Sequence, residues 1–173
     1  MKIFFDTEFI EDGHTIDLIS IGMVRDDGAT YYAISTEFKA RKASQWVKDN
    51  VLKYLPPRNA NPVYDLEDAR AARAYKPRKQ IAQEILEFVG EYPEFYAYYA
   101  DYDWVALCQF YGTMMDLPET WPMYCRDIKQ MADERGVDLD QIPQANKHHA
   151  LADAEWARQG FLILANYKRM DTL

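Results

Sequence analysis

Cysteine is scarce in this chain: Cys108 and Cys125 are the only two in 173 residues. Both stand in apolar or aromatic surroundings, so they read as buried reduced thiols. That reading weighs against a disulfide framework and a Cys/His zinc site. Long apolar runs are missing too. Nothing approaches the roughly 18 consecutive apolar residues of a membrane span, and acids interrupt the opening MKIFFDTEFI too soon for a signal peptide. There is no internal repeat and no Gly/Ser linker. The expectation is one domain over residues 1–173, in the cytoplasm, with no membrane partner. Cations are outnumbered, with 20 Lys and Arg against 28 Asp and Glu, a net charge of −8. That argues against a protein that coats nucleic acid through many phosphate contacts. It leaves room for one that recruits cations of its own at a single cleft.

What the chain does have is enough apolar material for a core, 49% hydrophobic and 14% aromatic residues. Lys2 to Asp6 is an apolar run that ends in a carboxylate, a buried strand with a polar tip. Thr15 to Val24 is rich in β-formers, Asp26-Asp27-Gly28 is a turn signal, and Thr30 to Ser35 reads as the returning strand. From Ala43 to Tyr54 the apolar residues fall at helical intervals. Leu55 to Pro62 is a surface loop. Pro77 opens a helix that Gly90 stops. Glu94 to Tyr99 is an aromatic strand, Asp103 to Tyr111 a short helix, and Met123 to Arg126 a fifth strand. Ile128 to Arg135 and Ala150 to Tyr167 are helices. Hairpin-linked strands followed by alternating helix and strand predict an α/β fold. Its mixed five-stranded sheet is flanked by helices, with the later strands joined through right-handed crossovers.

Certain carboxylates do not suit a purely structural role. Asp6 and Glu8 lie two apart after the strand Ile3-Phe4-Phe5, so they share one face, where they repel each other. A divalent cation between them removes that repulsion, and an all-oxygen donor set suits Mg²⁺ or Mn²⁺. Asp103 stands at a predicted helix start, where its bland role is an N-cap. His148-His149-Ala150-Leu151-Ala152-Asp153-Ala154 brings a histidine pair to the start of a small-residue helix. Its alanines allow close backbone packing. The ends of strands in an open α/β sheet gather at one edge, where ligands bind.

Together these pieces resemble a known family. Asp6-Thr7-Glu8 is similar to the first motif of the DEDD exonuclease superfamily, which has a ribonuclease H-like fold. Tyr102-Asp103 with Leu107 resembles the second motif. His148-x-Ala150-x-x-Asp153-Ala154 resembles the third motif of the histidine-containing branch. FFDTEFIEDGHTIDLISIGMV, YYAISTEF, YDWVALCQ and HHALADA look like the mycobacterial-type 3′→5′ exoribonucleases, over about Lys2 to Phe161. Tyr99 departs from the pattern, since the superfamily often has Asn or His there.

The resemblance implies that Asp6, Glu8, Asp103 and Asp153 hold two Mg²⁺ ions, with Mn²⁺ able to substitute. It also implies that His148 is the general base and that RNA is degraded from its 3′ end to nucleoside 5′-monophosphates. Thr7, Glu8, Phe9 and His148 are the expected substrate contacts, and a homodimer is the expected assembly. On helical spacing alone His149, four before Asp153, competes with His148. Phe9 could stack on a terminal base or belong to the core. Trp46 and Trp104 read as core residues. A DNA 3′-exonuclease and a non-catalytic nucleic-acid-binding module are the rival readings.

Overall fold

The computed structural model describes residues 1–58 and 71–167. Its centre is a long antiparallel meander: β1 (Lys2–Glu11), β2 (Ile16–Arg25) and β3 (Thr30–Ser35). Two short strands, β5 (Glu94–Ala97) and β6 (Arg126–Asp127), add in parallel beyond β1, and β4 (Tyr75–Lys76) adds in parallel beyond β3. The sheet therefore has six strands in the order β4-β3-β2-β1-β5-β6, one more than the five expected. The extra strand is two residues long, too short to leave a period in the sequence. The predicted fifth strand, Met123 to Arg126, is realised as Arg126–Asp127.

Alternation along β1 divides the core. Ile3 and Phe5 point to one face, where they meet Ile21, Met23, Phe95 and the helix α2 (Arg78–Val89) through Ile81, Ile85 and Val89. Phe4 points to the other face with Val24, against α4 (Ile128–Arg135) and α5 (Ala150–Asn166). Each fully buried Phe contributes roughly 1.5–3 kcal/mol, and neither Phe4 nor Phe5 is more than 1% exposed. A third, smaller cluster pins α1 (Gln45–Asn50) and its flanks to the distal part of the meander, through Ile10, Ile19, Ala43 and Val51.

The helix signals act where expected. Pro77 takes the N-cap of α2, and Gly90 closes that helix with φ 66°, its N–H bonded to Leu86. Asp127 caps α4 by accepting from the N–H groups of Lys129 and Gln130. The helix expected from Asp103 begins two residues earlier, as α3 (Asp101–Cys108), so Asp103 sits inside the first turn and is not its cap. The predicted Leu55 to Pro62 loop lies outside the described residues beyond position 58. Cys108 is buried and Cys125 half-buried, both as free thiols. No helix among the described residues is long and apolar enough to cross a membrane.

Candidate active site

β1 continues well past its carboxylates. It runs on to Glu11, with a bulge between Glu8 and Phe9, so Asp6 and Glu8 lie in mid-strand and not at a tip. Both share the face of Phe4, the face that α4 and α5 cover. The parallel partner β5 pairs with β1 only through Phe4. Beyond that point the β1 edge has no strand beside it, and an unpaired N–H is costly to bury. Asp103 of α3 fills the gap: its Oδ1 accepts from the Thr7 N–H at 2.9 Å and from the Thr7 hydroxyl. Asp103 is almost wholly buried, and these bonds fix its position beside Asp6 and Glu8. Thr7, expected as a substrate contact, directs its N–H and its hydroxyl to Asp103.

The other wall depends on a missing side chain. Gly22 of β2 pairs with Asp6. A Cβ on Gly22 would lie 2.2 Å from the backbone nitrogen of Leu151. Only glycine lets the start of α5 rest directly on the sheet, and Ala150 and Ala154, both fully buried, complete the contact. His149 is the N-cap of this helix. Its ring nitrogen accepts from the Ala152 N–H at 3.4 Å, and its ring stacks on Tyr32 at 4.6 Å. His149 is thereby committed to the helix start.

His148, one residue earlier, turns the other way. Its backbone is left-handed (φ 66°) and its N–H donates to Asp153 Oδ2 at 2.9 Å. Gln144 Nε2 donates to the other oxygen of Asp153 at 2.7 Å. Ligand atoms of Glu8, His148 and Asp153 all lie within 4.8 Å of one another. An imidazole there can take a proton or lend a lone pair.

The acids have little to neutralise them. Burial, then Asp103, Glu8 and Asp153, push the Asp6 carboxyl well above the ordinary carboxylate range. Burial and the charges of Asp153 and Asp103 raise Glu8 to about 8. Burial raises Asp103 to about 7 against the opposing hydrogen bonds from Thr7, and Asp153 is also raised by burial. Carboxylates that crowd one another away from water are the oxygen donor set of a hard divalent cation. The residues fit such an ion.

A cleft of about 280 Å³ opens over these groups, with Phe9, Tyr99 and Tyr102 on its lips. The Phe9 ring lies nearly parallel to that of Tyr102, centroids 5.8 Å apart. Tyr99 is 64% exposed and, like His148, has a left-handed backbone, with φ 58°. A broader cavity of about 670 Å³ continues from Asp6 and Asp153 past Gln144 to Trp156. Trp46, expected in the core, is 54% exposed and turns its ring to the edge of His148 at 4.8 Å. Trp104 does pack against the core. Sequence reasoning missed Gly22 and Gln144. Gly22 offered a signal, as a glycine inside a β-rich run marks close backbone approach; Gln144 offered none.

Comparison with known proteins bears on the family and the fold. A family model described as "3'-5' exoribonuclease Rv2179c-like domain" matches residues 1–163. The 3'-5' exoribonuclease Rv2179c of Mycobacterium tuberculosis (strain ATCC 25618 / H37Rv) is 39% identical over 170 residues, 96% of this chain and 94% of that protein. The 3'-5' exoribonuclease MT2234.1 of the CDC 1551 / Oshkosh strain gives the same identity and coverage. Among solved structures, S. pombe Pop2p, in a form with Mg²⁺ and Mn²⁺ bound, superposes with a TM-score of 0.59 at 15% identity. The match covers 96% of this chain and 83% of that one. At that identity the likeness bears on the fold alone.

Proposed function

This chain belongs to the Rv2179c-like 3′-5′ exoribonuclease family, and on that premise we propose that it hydrolyses RNA from the 3′ end by two-metal-ion catalysis with His148 as general base. The observation that carries the reading is the convergence of Asp6, Glu8, Asp103 and Asp153 with His148 on one cleft, where burial and the neighbouring acids raise the pKa of Asp6 and Glu8.

The four carboxylates would hold two divalent cations, Mg²⁺ or Mn²⁺. When bound, such ions neutralise phosphoryl oxygens and make water a better nucleophile near neutral pH. The remaining work falls to the chain. His148 takes a proton from the attacking water as its oxygen bonds to phosphorus. The bond from phosphorus to the 3′ oxygen of the preceding nucleotide breaks, and that oxygen takes a proton from solvent water as it leaves. A nucleoside 5′-monophosphate is released. Thr7 holds Asp103, while Gln144 and the His148 N–H hold Asp153, so neither acid must reorganise during the step. Phe9, beside Tyr102, offers an aromatic surface to a base.

The test is digestion of 5′-labelled single-stranded RNA and matched DNA in Mg²⁺, Mn²⁺ and EDTA, beside Asp6→Asn. A metal-dependent ladder that shortens from the 3′ end, stronger on RNA and absent in the variant, is expected. A ladder on DNA alone would move the substrate to deoxyribose. No cleavage of either strand by the folded, metal-loaded chain would leave a binding module without catalysis.

A further inference from the structure

Six of the twenty Lys and Arg residues fall between positions 39 and 58, a stretch that contains one acid, Asp49. In a chain of net charge −8 this is a local reversal of sign. Lys39, Arg41, Lys42, Lys48, Lys53 and Arg58 are all exposed. The fold explains why they face outward. Ala43, Val47, Val51 and Leu52 turn inward onto Ile10 and Ile19, and that inner face fixes the segment to the meander.

The neighbouring acids do not cancel the patch. Asp12 reaches Lys42 at 3.4 Å. Asp17 is engaged by Arg78 at 2.7 Å and by the backbone N–H of Lys39. Asp49 accepts from Gln45. Lys39, Arg41, Lys48 and Lys53 have no ion-pair partner among the described residues. Two exposed aromatic rings are interleaved with these cations, Trp46 and the 69% exposed Tyr54.

The segment also adjoins the cleft. Trp46 touches His148 edge-on. A separate cavity of about 520 Å³ has Asn50, Tyr54 and Leu55 on one wall and Lys147, His148 and His149 on the other. A chain of cations and rings thus begins at the acid cluster and leads away from it. The cleft itself repels phosphate until it is neutralised, so a polyanionic strand needs positive charge nearby.

We propose that residues 39–58, with Lys147, form the binding surface for the single-stranded body of the RNA. The lysines and Arg41 meet its phosphates, and Trp46 and Tyr54 stack on its bases. The inference rests on the exoribonuclease reading for its ligand. Its test does not depend on cleavage.

Fluorescence anisotropy of a labelled 12-nucleotide RNA is measured over a series of KCl concentrations, in the full chain carrying Asp6→Asn to keep the strand intact. Lys48→Gln with Lys53→Gln is added to that background and compared with Lys79→Gln, an exposed cation on α2. The double variant is expected to bind roughly tenfold more weakly at low salt. Its plot of log K against log[KCl] should be shallower by about 1.4, at 0.7 per lost single-strand phosphate contact. Lys79→Gln should match its parent. Equal affinity and slope in the double variant and its parent would overturn the proposal. So would an equal loss in Lys79→Gln, which would reduce the effect to net charge. A chain that binds through these lysines and yet cleaves nothing with Asp6 intact would refute the catalytic reading and leave the surface standing.

Discussion

Asp103 and Asp153 differ from Asp6 and Glu8 in how the protein holds them. The first pair is braced: Thr7 gives Asp103 two hydrogen bonds, and Gln144 and the His148 N–H give Asp153 one on each oxygen. The second pair, both on β1, accepts no hydrogen bond from a described residue, and burial and neighbouring charge alone set its titration. The difference teaches a division of labour. Braced acids define the frame of the site from two helices, α3 and α5. Unbraced acids leave their lone pairs and their charge to be satisfied from outside, which is what a cation does.

The strongest way to break that comparison is Asp6→Asn. Cleavage of labelled RNA is expected to fall to background while the metal-free variant melts above its parent at pH 8, because the cost of burying that acid among its neighbours has gone. A variant that melts lower would mean Asp6 is structural. Next is Gly22→Ala. The added methyl must displace the α5 start from the β1 acids, at about 1–3 kcal/mol of stability for overpacking. A displacement of about 1 Å lowers kcat by about 10²-fold, as read by urea unfolding and single-turnover cleavage. Gln144→Ala and Thr7→Val remove braces and leave ligands in place, so about 10–100-fold losses in metal affinity or rate are expected. Equilibrium Mn²⁺ titration separates the two. A loss as complete as that of Asp6→Asn would erase the distinction between braced and unbraced acids.

The smallest effect sharpens it. Unfolded carboxyls titrate near pH 4, whereas Glu8 and Asp103 in the metal-free fold titrate at about 8 and about 7. Across that window the folded chain binds more protons than the unfolded one, so stability falls as pH rises and the loss is complete above the folded values. The melting temperature without metal is expected to drop between pH 5 and pH 8.5. Mg²⁺ should remove most of that drop, and its affinity should rise over the same range. An equal drop with and without Mg²⁺ would detach the cluster from metal binding.

Much of this site was legible in the sequence because its chemistry conflicts with its surroundings. Carboxylates after an apolar strand, or in an alanine-rich helix start, stand out against a hydrophobic period. The meander was readable for the same reason, from β-rich runs and one Asp-Asp-Gly turn. What escaped was whatever depends on distant partners. The strand β4 is two residues long and owes its pairing to Ile34 and Ser35. The residue before α3, Ala100, gives its N–H to Asp127, a partner far along the chain. The choice between His148 and His149 could not come from helical spacing, because the helix begins only at Ala150. Gln144 reaches Asp153 from a loop nine residues away, with no period to betray it. Trp46 looked like core because its neighbours are, yet Val47 and Val51 supply the inner face.

The left-handed backbones at Tyr99 and His148 cost heat resistance, and at His148 that cost is set against the proposed activity. Each keeps a bulky ring where glycine or asparagine would relax the main chain by about 1 kcal/mol or more. A library of this protein selected only for survival on heating is therefore expected to collect Gly or Asn at positions 99 and 148. Its sturdiest members should be poor nucleases. Selection for turnover should hold the His148 ring and keep the chain less heat-resistant than its fold allows.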